Sequence, residues 1–159
     1  MKTPDFLKEG DEIRLIAPSR FIEEDLLEKA TIFYEKNDLK VSFGAHILEK
    51  DNQFAGSTEK RAEDLQTAID DENVKAIIAF RGGYGAAKIV DMVNWENFKK
   101  SPKWFCGYSD ACALHSHIQS LGICSLHSTM PVHITETKEE HIMSFYAQLE
   151  VLKGESIEY

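Results

Sequence analysis

Lys103-Trp104-Phe105-Cys106-Gly107-Tyr108-Ser109-Asp110-Ala111 reads as a buried strand that stops at a glycine, turns sharply through Ser109 and opens into a helix. Gly107 supplies the conformational tolerance that such a bend requires. A serine at the tip of a strand-to-helix turn stands clear of the backbone, and the N–H groups of the helix start face an oxyanion developing on an attacked carbonyl. Two readings of Ser109 follow. It is a nucleophile, or it is a serine that caps the helix, a position serine favours. Ala111 departs from the strict G-x-S-x-G pattern, so the turn alone leaves both open.

A second turn of the same kind lies upstream. The apolar run Val74-Lys75-Ala76-Ile77-Ile78-Ala79-Phe80 leads into Arg81-Gly82-Gly83-Tyr84-Gly85 and then the helix formers Ala86-Ala87. Three glycines in four positions bare the backbone N–H groups at a helix start. Glycine-rich turns also cradle phosphates, but this one matches neither G-x-G-x-x-G nor G-x-x-x-x-G-K-[ST].

The rest of the chain alternates strand and helix patterns. Strands are predicted over residues 12–17, 40–43, 76–80, up to 106, and near 123–126. A helix over 23–37 carries Leu26, Leu27, Ala30 and Phe33 or Tyr34 at near-helical spacing. Ser57 caps a second helix reaching Asp70, with Ala62, Leu65, Ala68 and Ile69 as its inner stripe. Further helices are expected over 86–92 and after Ser109. A last one opens on a capping box of Thr137 with Glu140, carries Ile142, Phe145, Tyr146, Leu149 and Leu152 on one stripe, and ends at Gly154. This alternation predicts an α/β fold, a parallel sheet covered by helices on both faces. In such sheets ligands bind beyond the carboxyl ends of the strands, where both glycine turns fall.

Composition narrows the function classes. At 159 residues and 43% hydrophobic content the chain can bury one substantial core, so a single domain is the natural count. A formal charge of -9 disfavours a nucleic-acid backbone or an anionic membrane as partner. The first residues carry no apolar signal-like region and no stretch is long enough to span a bilayer, from which a cytoplasmic location is expected. Cys106, Cys112 and Cys124 lack C-x-x-C spacing, which suits reduced thiols better than a disulfide framework or a zinc site. No cluster suggests a metal or a cofactor.

Taken together, Ile13-Arg14-Leu15-Ile16-Ala17-Pro18-Ser19, Phe54-Ala55-Gly56-Ser57 with Arg61-Ala62-Glu63-Asp64-Leu65, the turn from Arg81 to Gly85, and Gly107-Tyr108-Ser109-Asp110 with Ala113-Leu114-His115 resemble the LD-carboxypeptidases, serine peptidases of murein recycling related to the microcin-immunity peptidases. The resemblance implies a flavodoxin-like three-layer domain, similar in layout to a class I glutaminase. It implies hydrolysis of the bond between the L-centre of meso-diaminopimelate and the terminal D-alanine of murein tetrapeptide, with a microcin-type peptidyl-adenylate amide as the alternative substrate. Ser109 would be the nucleophile, and the N–H groups of Asp110 and of Gly82 or Gly83 the oxyanion hole. Arg81, Tyr84 and His127 would contact substrate. The family's catalytic Glu and His lie on a C-terminal domain, so this chain is expected to be the nucleophile-bearing half, silent by itself and prone to self-association as a homodimer. A binding domain that retains the pocket without turnover is the other class to weigh. Glutaminase chemistry would require a cysteine at the turn, which Ser109 occupies.

The six histidines are then weighed as possible bases. His115 and His117 lie roughly 9 to 12 Å along the helix axis from the Ser109 turn and are not expected to reach back. His127 follows the last strand on the side where a site would form, but Ser128-Thr129-Met130 stands where the family shows His-Gly-Pro-Met. His46, His133 and His141 are expected on solvated loop or helix surfaces.

Overall fold

Burial on both faces of apolar strands sets the architecture. In a computed structural model, which describes residues 1–156, β1 (Glu12–Ile16), β2 (Lys40–Phe43), β3 (Val74–Ala79), β4 (Trp104–Gly107) and β5 (Leu126–His127) form one sheet. All its pairings are parallel, and the strand order β2-β1-β3-β4-β5 is the flavodoxin-like arrangement. The chain reverses its direction of winding between β1 and β3, and the crevice at that switch point is where such folds hold ligands.

Alternation along each strand sends side chains into two cores. Ile16, Ile77, Ala79 and Phe105 pack against α2 (Thr58–Asp70), α3 (Ala86–Ile89), α4 (Glu96–Lys100) and α5 (Cys112–Ser120). On the other face Ile13, Leu15, Ile78, Phe80 and Cys106 pack against α1 (Glu24–Glu35) and α6 (Glu139–Lys153). A buried polar link ties those two helices together: Tyr34 Oη donates to Gln148 Oε1 at 2.8 Å, and Gln148 Nε2 donates to Ser128 Oγ and the Thr129 carbonyl. Lys103, also buried, donates its ammonium to the Ala68 and Asp71 carbonyls at the end of α2, and burial pulls its pKa down to about 8.

Several boundaries differ from the sequence reading. Ser57 does cap α2, accepting from the Lys60 N–H, and Gly154 ends α6 in the left-handed conformation. The Thr137 and Glu140 capping box does not form. Lys138 is the N-cap, without a side-chain bond, and Glu139 and Glu140 instead fill the first turn, where the helix dipole favours carboxylates. The last strand falls at Leu126–His127 because Ile123 bridges Lys2 instead of joining the sheet proper. The helix expected over 86–92 tightens into a 3-10 turn at Val90–Met92, and α4 is an additional short helix that buries Phe98 alone.

Candidate active site

The turn after β4 is built around two unusual backbone positions. Gly107 has φ +151, and a Cβ there would sit 3.0 Å from Ala79 Cβ and 3.2 Å from Ala111 Cβ, so neither conformation nor space admits a side chain. Ser109 then adopts φ +60, a left-handed conformation that costs a non-glycine residue about 1–2 kcal/mol. It is exposed, and the 3-10 turn Ser109–Ala111 feeds directly into α5. A serine that merely capped a helix would have extended backbone. Strain held at an exposed hydroxyl is a mark of a functional turn.

The glycine turn after β3 closes on this serine. A Cβ at Gly82 would lie 2.9 Å from both Cβ and Oγ of Ser109 and 3.4 Å from the Asp110 nitrogen. Only a bare backbone permits that approach. Gly83, at φ +135, lies against the aliphatic stem of Arg20 instead. Arg81 is partly buried and donates from Nη1 to the Phe21 carbonyl at 3.3 Å, while its buried Nε has no partner. Tyr84 is exposed on the rim, its ring 6.3 Å from Phe54 and under the Lys88 ammonium. Ser109, Asp110 and Gly82 thus come together; Arg81 and Tyr84 flank them with partners of their own.

Beneath the two turns runs a polar network that the sequence reading lacked. The Asp110 carboxylate accepts from the buried Ser19 hydroxyl at 2.6 Å and from the Ala86 N–H at 2.8 Å, the start of α3. It therefore joins the loop after β1 and the loop after β3 to the Ser109 turn, beyond serving the dipole of its own helix. Arg61, only 2% exposed, donates to the carbonyls of Pro18 and Gly85. Ser19 and Arg61 stand in the motifs quoted above, but no spacing along the chain reveals what they touch.

His127 and His133 lie beside Tyr108 and not beside Ser109, and His117 packs against Trp95. His115 sits with Nε2 2.9 Å from the Gly107 carbonyl and Nδ1 2.7 Å from Ser125 Oγ, and burial pulls its pKa down. His127, opposite Gly107 in the sheet, is exposed, with its ring 6.1 Å from those of Tyr108 and His115. His133 and His141 are not simply solvated. His133 Nε2 lies 2.7 Å from Tyr108 Oη, its Nδ1 lies 2.5 Å from Glu136, and the other Glu136 oxygen pairs with His141 at 2.8 Å. The pair of histidines holds the Glu136 carboxyl below its usual pKa, the His133 bond being the larger cause. His46 bridges Glu49 and Glu63, and the Glu49 bond raises its pKa. Fold proximity, not sequence distance, creates these contacts.

Chemically, the arrangement offers one exposed, strained hydroxyl with a bare backbone against it. Cys106 is buried and its thiol is pushed up to about 12, which leaves it inert. Among the described residues no group of three or more His, Cys, Asp or Glu is arranged to hold a metal ion. No helix among them is long and apolar enough to cross a membrane.

Residues 13–128 match the model of the LD-carboxypeptidase N-terminal domain. The chain is 33% identical over 128 residues to the probable murein peptide carboxypeptidase of Bacillus subtilis, covering 80% of this chain and 40% of that protein. It is 27% identical over 150 residues to the murein tetrapeptide carboxypeptidase of Pseudomonas aeruginosa, covering 89% and 49%. The crystal structure of an MccF-like protein from Bacillus anthracis superposes with a TM-score of 0.86 at 29% identity, over 96% of this chain and 47% of that one. The chain spans less than half the length of each of these relatives. The matched span takes in the glycine turn after β3 and the Ser109 turn after β4, and this chain belongs to the LD-carboxypeptidase family.

Proposed function

We propose that this chain is the nucleophile-bearing half of a serine-type LD-carboxypeptidase that removes the terminal D-alanine from murein tetrapeptide in cytoplasmic peptidoglycan recycling. The observation that carries the reading is Ser109 at φ +60 with the Gly82 backbone against its hydroxyl. Ser109 Oγ attacks the carbonyl of the diaminopimelate L-centre as its proton passes to a base, the carbon–nitrogen bond breaks and D-alanine leaves as the amine. Water then hydrolyses the acyl-serine ester. The N–H groups of Asp110 and Gly82 receive the oxyanion. Gly82 is preferred to Gly83 because only Gly82 abuts Ser109. Arg81, Tyr84 and His127 are assigned to the substrate rim.

The base and its orienting carboxylate are assigned to a C-terminal domain outside this chain. Two facts support that: the chain spans under half of its relatives, and none of its histidines hydrogen-bonds Ser109, with His115, His133, His141 and His46 held by Gly107, Ser125, Tyr108 or surface carboxylates and His117 packed against Trp95. The exposed Ile142, Met143 and Tyr146 of α6 form the surface assigned to self-association, which light scattering tests. The likeness to an MccF-like protein favours one alternative, a peptidyl-adenylate amide cleaved by the same serine.

The test is D-alanine release from murein tetrapeptide, with a peptidyl-adenylate analogue in parallel, by the protein with its remaining half. Ser109→Ala should lower kcat by several orders of magnitude. Retention of more than about a tenth of turnover refutes the assignment. Loss of fluorophosphonate reactivity at Ser109 in the complete protein leaves a non-catalytic binding domain. Release by this chain alone on the order of 1 per second would place the base within it.

A further inference from the structure

The motif Arg61-Ala62-Glu63-Asp64-Leu65 has no part in the chemistry above, yet its arginine is the most deeply buried cation beneath the two turns. Arg61 projects from α2 and spends its fork on backbone. Nη1 donates to the Pro18 carbonyl at 2.8 Å and to the Gly85 carbonyl at 3.1 Å, and Nη2 donates to Thr58 Oγ1 at 3.1 Å. The guanidinium carbon stands 5.1 Å from the centre of the Phe54 ring, and buried Nε has no hydrogen-bond partner among the described residues. Fit at Gly85 is tight: with φ +124, a Cβ there would come within 2.6 Å of Nη1. Gly85 is thus shaped to the arginine as much as to the turn.

Burying a guanidinium costs several kcal/mol unless its charge and donors are met. Among the described residues no carboxylate touches it. Compensation comes at longer range from the charges of Asp110 and Glu59, and Asp110 Oδ2 at the same time accepts from the Ser19 hydroxyl and the Ala86 N–H. The cation therefore joins the loop after β1 to the loop after β3, and the anion joins both to the residue following Ser109. The glycine turn is anchored at its far end, three residues beyond Gly82, by a group with no freedom to move.

We infer that Arg61 is a positioning residue: by fixing the carbonyls of Pro18 and Gly85, it sets how closely the Gly82 backbone approaches Ser109. This rests on the reading of Gly82 and Ser109 as parts of one site, but its test does not depend on turnover. Arg61→Lys keeps the charge and lacks the planar fork, so it cannot reproduce the three bonds. In proton–nitrogen NMR spectra of this chain, the Gly82, Gly83, Gly85 and Asp110 amides should shift or broaden in Arg61→Lys. Their hydrogen exchange should quicken by about tenfold or more, while the amides of Ile77 and Ile78 in β3 exchange as before. Amides of residues 82–85 and 110 at unchanged positions overturn the inference, and so does an equal loss of protection in β3, which would mark a merely global role. Arg61→Met should show the larger effect; where it does not fold, Arg61→Lys decides alone. Ser109 phosphonylation by a fluorophosphonate should fall by up to about 100-fold, the effect of a displacement near 1 Å. A complete protein, this chain with its remaining half, that is not phosphonylated at Ser109 sinks the nucleophile reading, and the amides still decide the role of Arg61.

Discussion

Alanine at Gly82 puts the proposed hole to a quantitative test. The φ of Gly82 is not in the left-handed region that excludes alanine, so the substitution meets no backbone penalty there. Its methyl group does meet Ser109: the contact of 2.9 Å to Cβ and Oγ falls short of the 3.5–4.0 Å optimum for carbon neighbours by about 0.6–1.1 Å. Relief requires either the turn or the serine to move, and both motions separate the hydroxyl from the N–H groups of residues 82 and 110. Overpacking of this kind costs about 1–3 kcal/mol, which lowers Tm by about 2–12 °C for a chain of this size. Losing one oxyanion donor costs about 100- to 1,000-fold in rate. In the protein with its remaining half, the rate of Ser109 phosphonylation, followed by intact mass, should fall by that factor while circular dichroism shows a folded protein. Gly122→Ala is the control: φ is +76 with nothing within 4 Å of its Cβ, so it should cost stability and leave the Ser109 rate unchanged. Labelling of Gly82→Ala within about threefold of the unsubstituted protein would refute the closeness of the two turns as the basis of the hole.

Replacing Ser109 by glycine removes the side chain from a left-handed residue and should raise stability by about 1 kcal/mol, visible as a Tm increase; a lower Tm contradicts the strain. His115 has a depressed pKa when folded, so the unfolded chain takes up its proton first as pH falls. Stability should drop as pH falls through the ordinary histidine value of about 6.5, and His115→Gln should flatten that part of a urea-midpoint profile; an unchanged slope sinks the assignment. His133→Phe should cost about 1 kcal/mol through the lost Tyr108 partner and leave Ser109 labelling intact. Abolished labelling in a folded His133→Phe protein would instead make His133 the base.

Legibility followed how local the determining contacts are. β3 is apolar apart from Lys75 and leads into Gly82 just beyond its end, and β4 is an apolar run ending in Gly107, so the sheet, its parallel sense and the placing of Gly82 and Ser109 beyond strand ends could be read directly. The bounds of β5 could not, because two residues carry no periodicity, and the neighbouring Ile123 is buried in the core while its backbone bridges Lys2 instead of the sheet. α4 escaped notice since one buried residue, Phe98, makes no stripe. Thr137 and Glu140 have the spacing of a capping box, yet the helix starts later. Within the site, the bond between Tyr108 and His133 spans 25 residues and that between Ser19 and Asp110 spans 91. Such pairings exist only once the sheet has brought the loops together.

That 91-residue span has a kinetic side. Closing large loops is entropically costly, so contacts between distant segments of a parallel sheet, such as this one, are expected to form late in folding. The hydrogen bonds of the Asp110 carboxylate to Ser19 and Ala86 belong to that late class, together with the left-handed backbone of Ser109 that they surround. Weakening them, as in Ser19→Ala, therefore speeds unfolding while leaving the folding rate nearly untouched. By the same separation, the loops at the carboxyl ends of β1, β3 and β4 should open and reclose without the sheet unfolding, so that the Ser109 turn keeps a local clock of its own, which hydrogen exchange at residues 82–86 and 109–111 against the β3 amides would read out.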